Sequence, residues 1–209
     1  MFVGIPRDLY LVENNLVILD EYEGKQLTLV DLNNPSNVQR LGTKGQGPND
    51  FLRISNLSYN PQNGILHVFD EYARRQSSYT VKERKVVLNA ANLRKKTLLG
   101  NTLYNVIPFG NSFVTNGNFD GKQFALLNEK AEIVEKFGIF PGNKDAINTG
   151  VAFYLLNQNR LVVNPQETHF AAAGFMNDHL VFYGKKGDSV EKLKEHIRKI
   201  LTEQYADAS

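Results

Sequence analysis

The chain has 209 residues, 42% hydrophobic and 22% charged, with 24 basic against 22 acidic side chains. A net charge of +2 supplies no field that would gather nucleic acid or an anionic membrane, and the apolar content argues against disorder. The absence of cysteine excludes disulfides, thiolate metal sites and cysteine nucleophiles within this chain, and no apolar run reaches the roughly 20 residues of a membrane-crossing helix.

Met1 to Asp8 carry neither the basic start nor the apolar core of a signal peptide. A first group of strands then follows, expected at Leu9 to Val12, Leu16 to Leu19, Leu27 to Val30 and Val38 to Leu41. Turn chemistry separates them: Asn14-Asn15, Glu23-Gly24-Lys25 and Asn33-Asn34-Pro35-Ser36. Four short strands in about 35 residues is the size of one propeller blade. Next comes Gly45-Gln46-Gly47-Pro48-Asn49-Asp50-Phe51. Gly45 and Gly47 open backbone angles closed to other residues, Pro48 fixes φ, and Phe51 sets a large apolar anchor straight after a polar turn. The expected form is a tight crossover from one blade to the next, with the aromatic ring plugging the seam.

The second unit repeats the first. Leu66-His67-Val68-Phe69-Asp70-Glu71-Tyr72 stands 50 positions after Leu16-Val17-Ile18-Leu19-Asp20-Glu21-Tyr22, and a Gln follows in both, at Gln76 and Gln26. Its strands are expected at Ile54 to Tyr59, Ile65 to Phe69, Gln76 to Val81 and Lys85 to Leu88. A third unit reads Leu103 to Pro108, Ser112 to Thr115, Gln123 to Asn128 and Ile133 to Phe137, with Gly121-Lys122-Gln123 echoing Gly24-Lys25-Gln26. A less regular fourth reads Phe153 to Leu156, Arg160 to Val163, His169 to Ala173 and His179 to Tyr183. Self-similarity at this period marks stacked supersecondary units. After Lys186-Gly187 the pattern changes. Asp188-Ser189-Val190-Glu191 fits a capping box, and Val190, Leu193, Ile197, Ile200, Leu201 and Tyr205 share one helical face. The expected fold is all-β: about four four-stranded antiparallel blades in a propeller-like array, ended by an amphipathic helix. Its bounds are a blade region over 1–187, with units near 7–43, 51–90, 101–140 and 150–186, and a helix over 188–209.

The segment Gly45 to Phe51, followed by a strand pair ending in Val68-Phe69-Asp70, resembles the NHL and TolB-like six-bladed β-propellers. It is most similar to a group of Bacteroidetes-type cell-envelope proteins whose connector is Gly-x-Gly-Pro-x-x-Phe. The resemblance is specific over residues 9 to 81 and general beyond them. It implies secretion or lipoprotein anchoring at the periplasm or cell surface, and no established catalytic residues. Six such blades would need roughly 290 residues. The expectation is therefore a fragment, an arc completed by another copy, or a ring of four.

The paired acids Asp20-Glu21 and Asp70-Glu71 offer oxygen ligands of the kind Ca²⁺ prefers. Their recurrence with the unit assigns them instead to the building plan, each Asp closing a turn on nearby backbone N–H groups. Gly45 to Phe51 is not a phosphate cradle, since no Lys-Ser or Lys-Thr pair and no helix follow. His67, His169, His179 and His196 show no ligand spacing, and Ser55, Ser77 and Ser78 lack a nucleophile elbow. Arg74-Arg75, Lys82, Arg84, Lys85 and Arg94-Lys95-Lys96, interleaved with Tyr72 and Tyr79, form one basic stretch that Glu71 and Glu83 dilute. The favoured function is a non-catalytic binding or scaffolding module of a bacterial envelope, without cofactor or metal. Its expected partner is a protein or glycan rather than nucleic acid, with self-association through exposed blade faces or the terminal helix. The competing expectation is a metal-dependent propeller enzyme, lactonase- or lyase-like, using Asp20, Asp70, Asn116 and Asn164.

Overall fold

The computed structural model describes residues 4–47, 50–82, 85–88, 93–94, 103–140, 158–175 and 179–197. Every regular element among them is a strand. The first sheet is the antiparallel meander β1 (Asp8–Val12), β2 (Asn15–Tyr22), β3 (Lys25–Asp31) and β4 (Val38–Thr43). The second holds β5 (Ile54–Asn60), β6 (Ile65–Asp70), β7 (Arg75–Lys82) and β8 (Lys85–Leu88), with β9 (Leu93–Arg94) also pairing on β7. The third holds β10 (Leu103–Phe109), β11 (Ser112–Phe119), β12 (Lys122–Leu127) and β13 (Ile133–Phe137). The fourth holds β14 (Asn159–Val163), β15 (His169–Gly174), β16 (His179–Lys186) and β17 (Ser189–Ile197).

Local turn chemistry sets the registers. Tyr22 pairs with Lys25 across Glu23-Gly24, whose φ values are 50° and 72°; Phe119 pairs with Lys122 across Asp120-Gly121, at 54° and 82°. Two positive φ values in a two-residue loop suit the right-handed twist of the strands they join, and glycine takes the second without strain.

Apolar seams stack the sheets on one another. Val12, Val17, Leu19, Leu27 and Leu29 of the first sheet meet Ile54, Leu57, Leu66 and Val68 of the second. Phe69 meets Val106, Phe119, Ala125 and Leu127 between the second and third. An aromatic seam joins the third and fourth, with Phe124 in edge contact with Phe170 and Tyr183 at 6.2 and 5.5 Å. Among the described residues no such cluster joins the fourth sheet to the first. There Leu9 and Leu11 are 58% and 64% exposed and Val162 is 60% exposed, each on the face opposite its strand's core residues. The joint is polar instead: Arg160 on β14 pairs with Asp8 and donates to the Tyr10 hydroxyl at 3.4 Å, both on β1. The four inner strands β1, β5, β10 and β14 thus follow one another around a common axis, as the blades of a propeller do.

The expected terminal helix is overturned over its first part. Ser189–Ile197 is the outer strand β17, in register with β16 from Lys186↔Ser189 to His179↔Ile197. Gly187-Asp188, with Gly187 at φ 61°, is a two-residue hairpin loop where a helix cap was expected. The mixture of Lys, Glu and apolar residues read as an amphipathic helix is the charge pattern of an edge strand protected against further pairing. A register shift between Phe182 and Tyr183 breaks the strict alternation that would have announced it. Residues 198–209 lie outside the described residues, as do Phe153 to Leu156, expected to open the fourth unit.

His67 on β6 supplies a pH dependence. Burial pushes its imidazole from 6.5 down to about 4, and its Nδ1 lies 3.0 Å from the Ser78 hydroxyl. A folded pKa below the unfolded one favours the neutral ring, so this stabilisation is complete above 6.5 and is lost as pH falls from 6.5 toward 4. Urea midpoints should drop between pH 7 and pH 4.5, by on the order of 2 kcal/mol of stability. His67→Asn should flatten that part of the profile; an equally steep loss in the variant would place its origin elsewhere.

Candidate functional site

The repeated Asp-Glu-Tyr builds one end of the axis. Asp70 is fully buried and accepts four backbone N–H bonds: Leu52 at 2.7 Å on Oδ2, and Arg53, Tyr72 and Ala73 at 3.1, 3.1 and 2.9 Å on Oδ1. It therefore ties the segment leading into β5 to the turn after β6. Asp20, also buried, accepts from Gly4 N–H at 3.1 Å, the Thr28 hydroxyl at 2.7 Å and Arg40 Nη1 at 3.1 Å. The following glutamates each pair with a cation, Glu21 with Lys44 and Glu71 with Arg53 at 3.0 Å. The tyrosines lie beneath guanidinium groups, Arg40 over Tyr22 at 4.6 Å and Arg53 over Tyr72 at 5.4 Å.

In the connector, Asp50 folds back so that its Oδ2 accepts the Gly47 N–H at 3.1 Å. A Cβ on Gly45 or Gly47 would meet that carboxylate oxygen at 2.5 or 2.7 Å, so any side chain there displaces it. Phe51 is buried in the seam between the first two sheets. Gln26 of β3 clamps the connector's far end, donating to the Phe51 carbonyl at 2.9 Å and accepting from Ile54 N–H at 2.8 Å. Pro48 lies outside the described residues. Arg75, from the basic stretch, is buried, lies over the Phe51 ring at 5.3 Å and donates to the Asp50 carbonyl.

These ties shape a cleft of about 360 Å³ at the axial mouth, lined by Arg7, Asp8, Arg53, Ser55, Asn56, Glu71, Asn105, Gln158, Arg160 and Phe175. Every inner strand contributes to it. Amides lock the walls: Asn56 accepts from Val106 N–H at 3.2 Å and donates to its carbonyl at 3.3 Å, while Asn105 donates to the Asn159 carbonyl at 2.8 Å. Desolvation raises the Glu71 carboxyl, opposed by Arg53 and Arg7, and lifts the Tyr10 phenol to about 12. A second cleft of about 580 Å³ adjoins it, sharing Arg7 and Arg53 and adding Lys44, Glu21, Gln26 and Tyr72.

Of the residues singled out from the sequence, Asp20, Asp70, Gly45, Gly47 and Phe51 serve the connector and the ties between strands, while Glu71 and Ser55 line the cleft. The four positions of the calcium expectation do not meet. Asp20, Asp70 and Asn116 serve sheet construction near the mouth, whereas Asn164 holds the β14–β15 turn at the far end of its strand, accepting from Thr168 and His169 N–H at 2.8 Å each. Among the described residues no group of three or more His, Asp or Glu could hold a metal ion. Sequence reasoning missed Arg7, Arg53, Gln158, Arg160 and Phe175. Only the arginines directly before Asp8 and Ile54, at the starts of two inner strands, offered a signal.

No protein family and no curated protein matches this sequence. The fold is similar to a candidate exported protein from Bacteroides fragilis, at TM-score 0.53 and 11% identity, covering 92% of this chain and 71% of that one. It is similar to a candidate 6-phosphogluconolactonase from Bacteroides uniformis, at TM-score 0.54 and 8% identity over 92% and 57% of the two chains. It is also similar to the β-propeller domain of Cps50 (Swd1) from Myceliophteria thermophila, at TM-score 0.51 and 13% identity over 94% and 58%. The chain thus spans little more than half of the last two structures. Likeness this remote establishes the architecture, an all-β propeller-like array, and nothing of the chemistry. No helix among the described residues is long and apolar enough to cross a membrane.

Proposed function

We propose that the protein is a non-catalytic β-propeller binding module of a bacterial cell envelope, receiving a protein or glycan partner at the axial mouth. One observation carries this reading: both carboxylates of the mouth and the amide of Asn56 are already engaged. Asp8 is held by Arg160, Glu71 by Arg53, and Asn56 by the Val106 backbone. Such a wall is preorganised to receive a ligand, while its carboxylates are engaged by guanidinium groups rather than free to shuttle protons. The resemblance of the Gly45 to Phe51 connector to that of the NHL and TolB-like envelope propellers supports the envelope setting, as does the likeness in fold to an exported-protein candidate. The test is saturable binding of envelope polysaccharide or peptide fractions to the immobilised protein. Ser55→Trp, which fills the cleft, should abolish it while leaving the circular dichroism spectrum unchanged. Turnover of a defined substrate, lost on one polar substitution in the mouth, would overturn the reading.

A further inference from the structure

We infer that the axial mouth is built for a small oxyanion-bearing sugar, its carboxylate or phosphate met by Arg7 and its ring lying on Phe175; this deepens the binding role just proposed and rests on it. Three guanidinium groups converge on the cleft against two carboxylates. Each carboxylate is already engaged, Asp8 by Arg160 and Glu71 by Arg53. Arg7 is the remaining charge. Its backbone is fixed, donating to the Leu19 carbonyl at 2.7 Å, and its exposed side chain lines both adjoining clefts. Among the described residues that side chain makes no ion pair, so a ligand anion would gain a charge-assisted partner without breaking an internal one.

The rest of the wall describes the ligand's body. Phe175 is 57% exposed in a cleft otherwise polar, and a large apolar ring left open there suits the flat C–H face of a sugar. Ser55 and Gln158 provide hydroxyl and amide groups for sugar hydroxyls. A volume of about 360 Å³ lies at the small end of ligand pockets, fitting one or two sugar rings rather than a polymer segment.

Calorimetric titration with D-glucuronate, glucose 6-phosphate, glucose and inorganic phosphate tests this. The expected result is binding of at least one anionic sugar, weakened by added salt and at least tenfold by Arg7→Gln or Phe175→Ser, with glucose not bound. Glucuronate against glucose 6-phosphate tells carboxylate from phosphate. Lys130→Gln, on the exposed β12–β13 turn, controls for net charge and should leave affinity unchanged. Glucose binding as tightly as the anionic sugars overturns the inference, as does phosphate alone binding as well as the sugar phosphate. Silence from all four probes, with Ser55-dependent binding of envelope fractions intact, overturns the ligand class and spares the parent reading; loss of both overturns the parent reading too.

Discussion

Asp70→Ala should lower the unfolding free energy by about 4 kcal/mol or more, enough to leave a marginal domain largely unfolded. The carboxylate is fully buried and accepts from the N–H groups of Leu52, Arg53, Tyr72 and Ala73. Alanine removes every acceptor at once, and a buried donor left unsatisfied costs about 1–3 kcal/mol. Asp70→Asn gives an intermediate result: one oxygen still serves Arg53, Tyr72 and Ala73, but the amide NH₂ then faces the Leu52 N–H, donor against donor. Urea unfolding followed by circular dichroism measures both, and the slope should stay constant if only the folded state is affected. A loss under about 1 kcal/mol for Asp70→Ala would show that the carboxylate does not staple the inner strand.

Phe51→Ala should cost about 3–5 kcal/mol, the range for deleting a fully enclosed aromatic side chain. The ring is 2% exposed, lies 6.4 Å from the Tyr79 ring and carries the Arg75 guanidinium on its face. Its removal opens a cavity in the seam joining the first two sheets and takes the aromatic face from the Arg75 guanidinium, which keeps its bond to the Asp50 carbonyl. Phe51→Leu, which refills most of the volume, should recover more than half of the loss. A pair of midpoints within experimental error of wild type would mean that the connector contributes no packing.

The blade plan was legible because it is local. Asp20-Glu21-Tyr22 and its copy at Asp70 recur with strands of period two and with turns such as Asp120-Gly121, so neighbouring residues alone suffice to read them. β17 was not legible: an edge strand has one partner and one exposed face, so its Lys-Glu-Leu composition satisfies a helical period as readily. The cleft was illegible for another reason. Arg7, Arg53, Asn105 and Arg160 each come from a different sheet, and only the circuit of inner strands brings them together. An arginine before a strand marks a place, but not the groups from other sheets that it will meet.

An ion pair links the fourth sheet to the first. Among the described residues, three joints are zipped by interdigitated hydrocarbon, whereas this one rests on a carboxylate gripped by a guanidinium group that is 39% exposed to solvent. Salt screens a half-wet ion pair, and hydrocarbon contact has no charge to screen. Salt should therefore act first on the link between Asp8 and Arg160. Because those two residues also wall the cleft, weakening their pair should alter the mouth as well.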